Sequence, residues 1–160
     1  MAKKDEHVMR FDMAPDDLVA ILTDPEFQVL REKTMGSLEA RVSDVERDGD
    51  RLRYKVHTKD YARGMTGIDR SKTEDNRVDY EWDLAARRGD WTYHGAQSKM
   101  ARVWGSLRVE PDGDGARLTN AFEVDVKVPL MGGKIEKMVL KEVAKSWPQY
   151  ESAIRQFAAR

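Results

Sequence analysis

One long amphipathic pattern in the last part of the sequence limits the possible folds more than any other segment does. Between Met131 and Phe157, apolar residues recur at steps of three and four, which is the spacing of one helical face. Charged residues, Glu136 among them, occupy much of the remainder. The pattern predicts a helix of roughly 25 residues, about 37 Å long at 1.5 Å per residue. Such a helix must bury its apolar stripe against another element.

The preceding chain alternates apolar and polar residues with a period of two, as in β-strands with one covered face. This alternation occupies residues 7–13, 37–43, 51–59, 78–84, 91–93, 101–110 and 118–128. Pro15, and Asp24 followed by Pro25, predict the starts of two short helices after the first strand. Turns are predicted at Asp48-Gly49, at 88–90 and at 111–115, whereas residues 60–76 have no interpretable pattern.

Together these elements predict an α+β fold. It consists of a curved antiparallel sheet of six to seven strands wrapped around the long C-terminal helix, with two short helices after the first strand. A single helix is about 10 Å across and cannot fill the hollow of so wide a sheet by itself. The interior is therefore either a core crowded with bulky side chains or a lined cavity.

Length and composition exclude several classes of protein. A chain of 160 residues is expected to form one domain, residues 1–160. The 28 Lys and Arg residues nearly balance the 29 Asp and Glu residues, which argues against a nucleic-acid partner. The longest apolar run, 18–22, is far too short for stable membrane insertion, and the N-terminus has no apolar leader segment. We therefore expect a cytoplasmic protein.

No motif predicts a metal or a cofactor. The sequence has no cysteine, and His7, His57 and His94 lie on different strands without metal-ligand spacing. The acidic turn from Asp112 to Gly115 lacks the distal glutamate of a calcium-binding loop. Phosphate-binding glycine loops and a serine nucleophile elbow are also missing from the sequence. Function must therefore depend on the shape and lining of the interior.

The run VDVKVPLMGGKIEKMV, from Val124 to Val139, joins the last strand to the long helix. It resembles a signature of bacterial START-like domains, within the polyketide cyclase/dehydrase and lipid-transport superfamily, and is most similar to a bacterial family of uncharacterised function. The resemblance implies the helix-grip fold. It implies no single chemistry, because the superfamily includes lipid carriers, hormone receptors, aromatases, cyclases and chaperone co-regulators.

Side chains that alternation places between the sheet and the helix predict a pocket for a small hydrophobic molecule that is lipid-like, isoprenoid or aromatic. The predicted ligand-binding residues are Tyr54, Val56, Thr58, Tyr80, Trp82, Tyr93, Asn120, Phe122, Val124, Ile135, Met138, Val139, Trp147 and Tyr150. Asn120 is the predicted polar anchor, since an unpaired buried amide would cost about 1–3 kcal/mol. The alternative is that these side chains simply pack a large core.

Two other functions remain open. A cyclase or aromatase would use the same cavity, with Glu142 and Tyr150 as acid or base if burial shifted their pKa values toward neutrality. The sequence contains no evident pair of base and nucleophile, so ligand binding without catalysis is favoured. A protein-interaction role would use the basic stripe on the outer face of the sheet, formed by Arg51, Arg53, Lys55 and Lys59.

Overall fold

The structure is a computed structural model that describes residues 2–64 and 67–160. Its strands are β1 (Lys3–Phe11), β2 (Glu39–Asp48), β3 (Arg51–Gly64), β4 (Gly67–Asp83), β5 (Arg88–His94), β6 (Ala101–Asp112) and β7 (Gly115–Val126). Its helices are α1 (Pro15–Leu22), α2 (Pro25–Thr34) and α3 (Gly132–Ala158).

The seven strands form one antiparallel sheet in the order β1-β7-β6-β5-β4-β3-β2. The long helix α3 packs on β1 and β7, and also contacts α1 and α2. This arrangement confirms the predicted curved sheet, the pair of short helices after the first strand and the long C-terminal helix. The helix starts are confirmed as well, because Pro15 and Pro25 occupy first-turn positions and the Asp24 side chain accepts a hydrogen bond from the Glu26 amide at 2.8 Å.

The turn predicted at 88–90 is wrong by a few residues. These residues belong to β5, and the turn occupies residues 84–87. Gly89 pairs with Trp82 across the sheet, and a Cβ atom at Gly89 would lie 2.5 Å from the Trp82 ring. The glycine thus makes room for an indole ring rather than for a turn.

The uninterpreted stretch 60–76 belongs to a long β3–β4 hairpin, except that Met65 and Thr66 fall outside the described residues. The register shifts between Tyr61 and Ala62, opposite a longer segment of β4. Residues 67–73 of this hairpin are exposed, so neither face of β4 has a buried apolar side chain there. That exposure explains why the segment has no strand-like alternation of apolar residues.

A packed core fills the end of the molecule that holds α1 and the first half of α2. The largest fully buried apolar side chains there are Trp82, Phe11, Phe27, Leu18 and Leu22. Helix α3 contributes the residues of its last third, Tyr150, Ala153 and Ile154. The core therefore lies beneath the C-terminal part of α3, away from the β7–α3 junction.

Close packing at the β7–α3 junction explains two residues of the signature run, Gly132 and Glu136. Gly132 lies so near β7 that a Cβ atom there would be 2.5 Å from the Val126 carbonyl oxygen. Glu136, which the helical pattern placed on the polar face, is only 1% exposed. Its Oε2 accepts a hydrogen bond from the Val126 amide at 2.8 Å, and its Oε1 lies 3.7 Å from Lys3 Nζ. A buried carboxylate thus fixes the start of α3 to β7 and β1.

Candidate functional site

A groove of about 760 Å³ lies between the middle of α3, the end of α2 and the β3–β4 hairpin. Its apolar lining comes from Met35, Ile68, Met138, Val139 and Val143. Its polar lining comes from Arg63, Glu142, Lys145, Ser146 and Gln149. The groove therefore combines an apolar wall with polar and charged groups from the same helix and hairpin.

The geometry of α3 brings its apolar residues to the groove. Val139 and Val143 are four residues apart and hence lie on one face of the helix. One turn further on, Ser146 donates its hydroxyl to the Val143 carbonyl at 2.6 Å, so it adds no free donor. Met138 and Ile68 are 41% and 54% exposed, which leaves two large apolar side chains in contact with water at the groove.

Six of the predicted ligand-binding residues with apolar or aromatic side chains lie in buried positions rather than along this groove. They are Tyr54, Val56, Tyr80, Trp82, Val124 and Tyr150. The Tyr54 and Tyr80 rings stack with centroids 5.0 Å apart, and Trp82 Nε1 donates to Tyr54 Oη at 3.0 Å. Protein atoms fill this part of the interior, whereas Met138 and Val139 from the predicted set do line the groove.

The remaining predicted residues lie around the interior without lining the groove. Trp147 stacks on His7 with ring centroids 5.0 Å apart, and Phe122 packs against Trp91 at 5.5 Å. Ile135 is half-buried on α3. Asn120 is 5% exposed, and its Nδ2 has no acceptor within the described part of the chain.

Thr58 and Tyr93 belong to a hydrogen-bond network centred on Asp60. The Asp60 carboxylate accepts hydrogen bonds from Ser37 Oγ at 2.5 Å, Thr58 Oγ1 at 2.8 Å and Asn76 Nδ2 at 2.7 Å. Tyr93 Oη donates to Asn76 Oδ1 at 2.6 Å. Burial raises the pKa of Tyr93 to about 12, with further contributions from nearby carboxylates, so its hydroxyl stays protonated. The network ties the segment after α2 to β3, β4 and β5.

Two members of this network, Thr58 and Asn76, also border a second, smaller groove of about 390 Å³ over β2, β3 and β4. Most of its lining is charged or polar, and consists of Glu39, Ala40, Arg41, His57, Thr58, Lys59, Asp75 and Asn76. Such a surface offers little apolar area to bury, so the larger groove is the better candidate for a hydrophobic ligand.

A second polar cluster joins α2 to the core. Arg31 Nη1 donates to Glu32 Oε1 at 2.6 Å and to Tyr80 Oη at 3.2 Å, and its guanidinium lies 4.9 Å from the centre of the Tyr150 ring. Burial raises the pKa of Glu32, the positive charge of Arg31 partly opposes this, and the negative charge of Asp60 adds to it. Folding thus disfavours the ionised form of this carboxyl.

Because the pKa of Glu32 is raised in the folded state, we expect ionisation of Glu32 to destabilise the folded protein as the pH rises. The folded state holds the Glu32 proton more tightly than the unfolded state, so the contribution of Glu32 to stability falls as pH rises from its ordinary pKa through the raised one. The stability of the wild type relative to Glu32→Gln should therefore be lower at pH 7 than at pH 4, as measured by urea unfolding. Glu26→Gln, at an exposed position of α2, controls for loss of a charge from this helix. A constant difference between wild type and Glu32→Gln across this range would contradict the expectation.

The two acid–base candidates have pKa shifts that do not suit catalysis near neutral pH. Glu142 is exposed and accepts a hydrogen bond from Lys145 Nζ at 3.0 Å, which lowers its pKa. Burial raises the pKa of Tyr150, with the positive charge of Arg31 opposing the shift. Both shifts lead away from neutrality, opposite to what the enzyme hypothesis requires.

The basic stripe on the outer face is interleaved with carboxylates. Arg51 forms an ion pair with Glu81. In the β3–β4 register, Arg53 is the residue directly opposite Glu81. In the same register Lys55 lies opposite Asp79, and Lys59 lies opposite Asp75. Charges of both signs share this face, which weakens the case for an interaction surface that depends on positive charge.

Sequence patterns missed the half-buried charged residues of α2 and the polar residues of the hairpin. Arg31 and Glu32 lie one turn after the buried residues Phe27 and Gln28, so helical spacing alone could have placed them inward. Asp60 and its partner Asn76 lie in the stretch that lacked alternation, and no local signal marked them.

Within residues 2–64 and 67–160, no group of three or more His, Asp or Glu side chains is arranged to hold a metal ion. Among the helices described, none is both long enough and apolar enough to cross a membrane.

Comparison with protein-family models gives one match, which covers residues 6–157 and is described as Protein of unknown function (DUF2505). The chain belongs to this family. No curated protein matches this DUF2505 member significantly. The family assignment agrees with the resemblance to an uncharacterised bacterial family.

Solved structures show that the DUF2505 chain has the helix-grip fold of START-like proteins. An aromatase/cyclase from Streptomyces sp. R1128 has a TM-score of 0.68 at 13% identity, covering 100% of this chain and 95% of its own. A START superfamily protein from Mycobacterium smegmatis has a TM-score of 0.64 at 14% identity, with coverages of 96% and 98%. Norcoclaurine synthase from Thalictrum flavum has a TM-score of 0.68 at 10% identity, with coverages of 100% and 88%. Identities this low show a shared fold alone.

Proposed function

We propose that the groove beside α3 binds a small hydrophobic molecule of lipid-like, isoprenoid or aromatic type. The observation that carries the proposal is the groove itself, about 760 Å³ in volume with five apolar side chains from three elements. That volume lies within the range of roughly 300–1,000 Å³ that is typical of small-molecule sites. The groove lies between α3 and the end of the β3–β4 hairpin, and Met138 and Val139 are the predicted ligand-binding residues that line it.

The exposure of its apolar residues supports this proposal. Met138 and Ile68 lie on opposite walls, one on the helix and one on the hairpin, and both leave much of their side chain in water. A ligand that covers them gains about 25 cal/mol for each Å² of apolar surface buried. Two methionines, Met35 and Met138, contribute to the lining, and methionine adapts to ligands of irregular shape.

The polar lining supplies orientation. Arg63 from the hairpin and Gln149 from α3 can donate hydrogen bonds to a polar group of the ligand. Proteins of similar fold include an aromatase/cyclase and a synthase. The exposed, ion-paired Glu142 is the only carboxylate along the groove within the described residues, which favours binding over acid–base catalysis.

We expect Val143→Trp to fill the groove and weaken ligand binding at least tenfold. Val143 is half-buried on the inner side of α3, so a larger side chain there occupies ligand volume. Binding is measured by fluorescence of 1-anilinonaphthalene-8-sulfonate, and by its displacement with laurate, farnesol and naphthol as lipid-like, isoprenoid and aromatic probes.

The matched control is Val8→Trp, which adds the same volume at an exposed position of β1 outside the groove. The control should bind like the wild type, and both variants should retain the wild-type circular dichroism spectrum. The proposal fails if the wild type shows no saturable binding of any probe, or if Val143→Trp binds as tightly as Val8→Trp.

A further inference from the structure

The β7–α3 junction and its neighbouring loop form a surface that meets the groove only at Met138 and Val139. We name the segments 95–100 and 127–141 the junction surface. The two segments meet because the Lys127 amide donates a hydrogen bond to the Met100 carbonyl at 2.7 Å. The buried contacts of Gly132 and Glu136 hold the second segment firmly against β7.

Large apolar side chains point into water across this surface. Leu130 is fully exposed, and Met100, Met131 and Met138 are each exposed by more than a third. Leu130 also has a φ of 65°, in the left-handed region that side chains other than glycine rarely adopt. A conformation that costs free energy therefore holds an apolar side chain away from the core.

Lysines surround these apolar residues. The junction surface contains five lysines, namely Lys99, Lys127, Lys134, Lys137 and Lys141. Its one carboxylate, Glu136, is buried and lies beside Lys3. The whole chain has a net charge of −1, so the positive charge is concentrated here and does not reflect the overall composition. Three of these lysines, Lys134, Lys137 and Lys141, lie on α3. They share its exposed face with Met138, at helical steps of three and four.

We propose that the junction surface docks the protein onto anionic lipid membranes. Exposed apolar side chains among lysines are the pattern of peripheral binding, in which the apolar groups enter the headgroup region and the lysines attract anionic lipids. The residues tested below, Leu130, Lys134 and Lys137, lie outside the groove, and docking does not require a ligand. If the groove also binds a hydrophobic molecule, as proposed above, the wall of the groove that contains Met138 lies next to the membrane.

The test is co-sedimentation with vesicles of equimolar phosphatidylcholine and phosphatidylglycerol. Each lysine near an anionic surface strengthens binding about fivefold, so Lys134→Gln combined with Lys137→Gln should weaken it about 20- to 30-fold. Leu130→Ser should weaken it as well, by removing an apolar contact. The controls are Arg53→Gln combined with Lys55→Gln on the outer face of the sheet, and Val45→Ser at an exposed apolar position of β2; both should bind like the wild type.

Three results would overturn membrane docking: no wild-type binding to these vesicles, equal binding to vesicles of pure phosphatidylcholine, or equal losses in the control variants. A fourth result would indicate a general attraction to anions instead. In that case the protein would bind polyglutamate as tightly as it binds the vesicles, and Leu130→Ser would leave polyglutamate binding unchanged. The groove is tested separately, because the lysine variants should bind 1-anilinonaphthalene-8-sulfonate normally and Val143→Trp should still bind vesicles.

Discussion

Trp82→Ala should lower the free energy of unfolding by about 4 kcal/mol, which corresponds to a fall of about 8–16 °C in melting temperature. The Trp82 ring is 1% exposed, fills the space beside Gly89 and donates its N–H to Tyr54. Truncation leaves a cavity in a packed region and removes the donor to a buried hydroxyl. Thermal and urea unfolding, followed by circular dichroism, measure both quantities.

The same variant separates structural residues from ligand-binding residues. Trp82 was predicted to bind ligand, yet it lies in the packed core away from the groove. Folded Trp82→Ala should therefore bind 1-anilinonaphthalene-8-sulfonate within twofold of the wild type at low temperature. Trp104→Ala, on the half-buried outer face, is the control for loss of an indole and should cost about 1 kcal/mol. A selective loss of probe binding in Trp82→Ala would place the ligand in the core.

Glu136→Ala should lower the free energy of unfolding by about 3 kcal/mol, because it leaves the buried Val126 amide without an acceptor and creates a small void. Glu136→Gln keeps an oxygen acceptor in the same place and should cost less. Chemical unfolding at neutral pH compares the two. Equal losses in both variants would show that the negative charge beside Lys3, rather than the hydrogen bond to β7, stabilises the junction.

The periodic elements of this fold could be predicted from sequence because each has one apolar face. The alternation in β3 matches the buried side chains of Tyr54 and Val56, and the α3 stripe matches burial toward its end, at Tyr150 and Ile154. The family signature also has a local physical origin, since Gly132 and Glu136 are both needed where α3 begins against Val126.

The site itself could be predicted only in part. Alternation shows which side of a strand faces inward, but not whether side chains from the opposite element fill the space there. Tyr54 and Trp82 face inward as predicted. Trp82 contacts Tyr54, and Tyr54 stacks on Tyr80, so these side chains themselves occupy the space. Met35 and Ile68 reach the groove through the end of α2 and an irregular hairpin, where register shifts break the alternation.

Helix α3 is anchored near both of its ends and weakly supported between them. Glu136 is buried at its start and Tyr150, Ala153 and Ile154 toward its end, while none of residues 137–149 is buried. Pro148 has no amide hydrogen, so the backbone ladder lacks one bond in the same region. Local opening therefore costs less free energy in the middle of this helix than at its anchored ends, the reverse of ordinary fraying. A bend of α3 in this middle part leaves every strand pairing intact, because the residues that anchor the helix lie on either side of it.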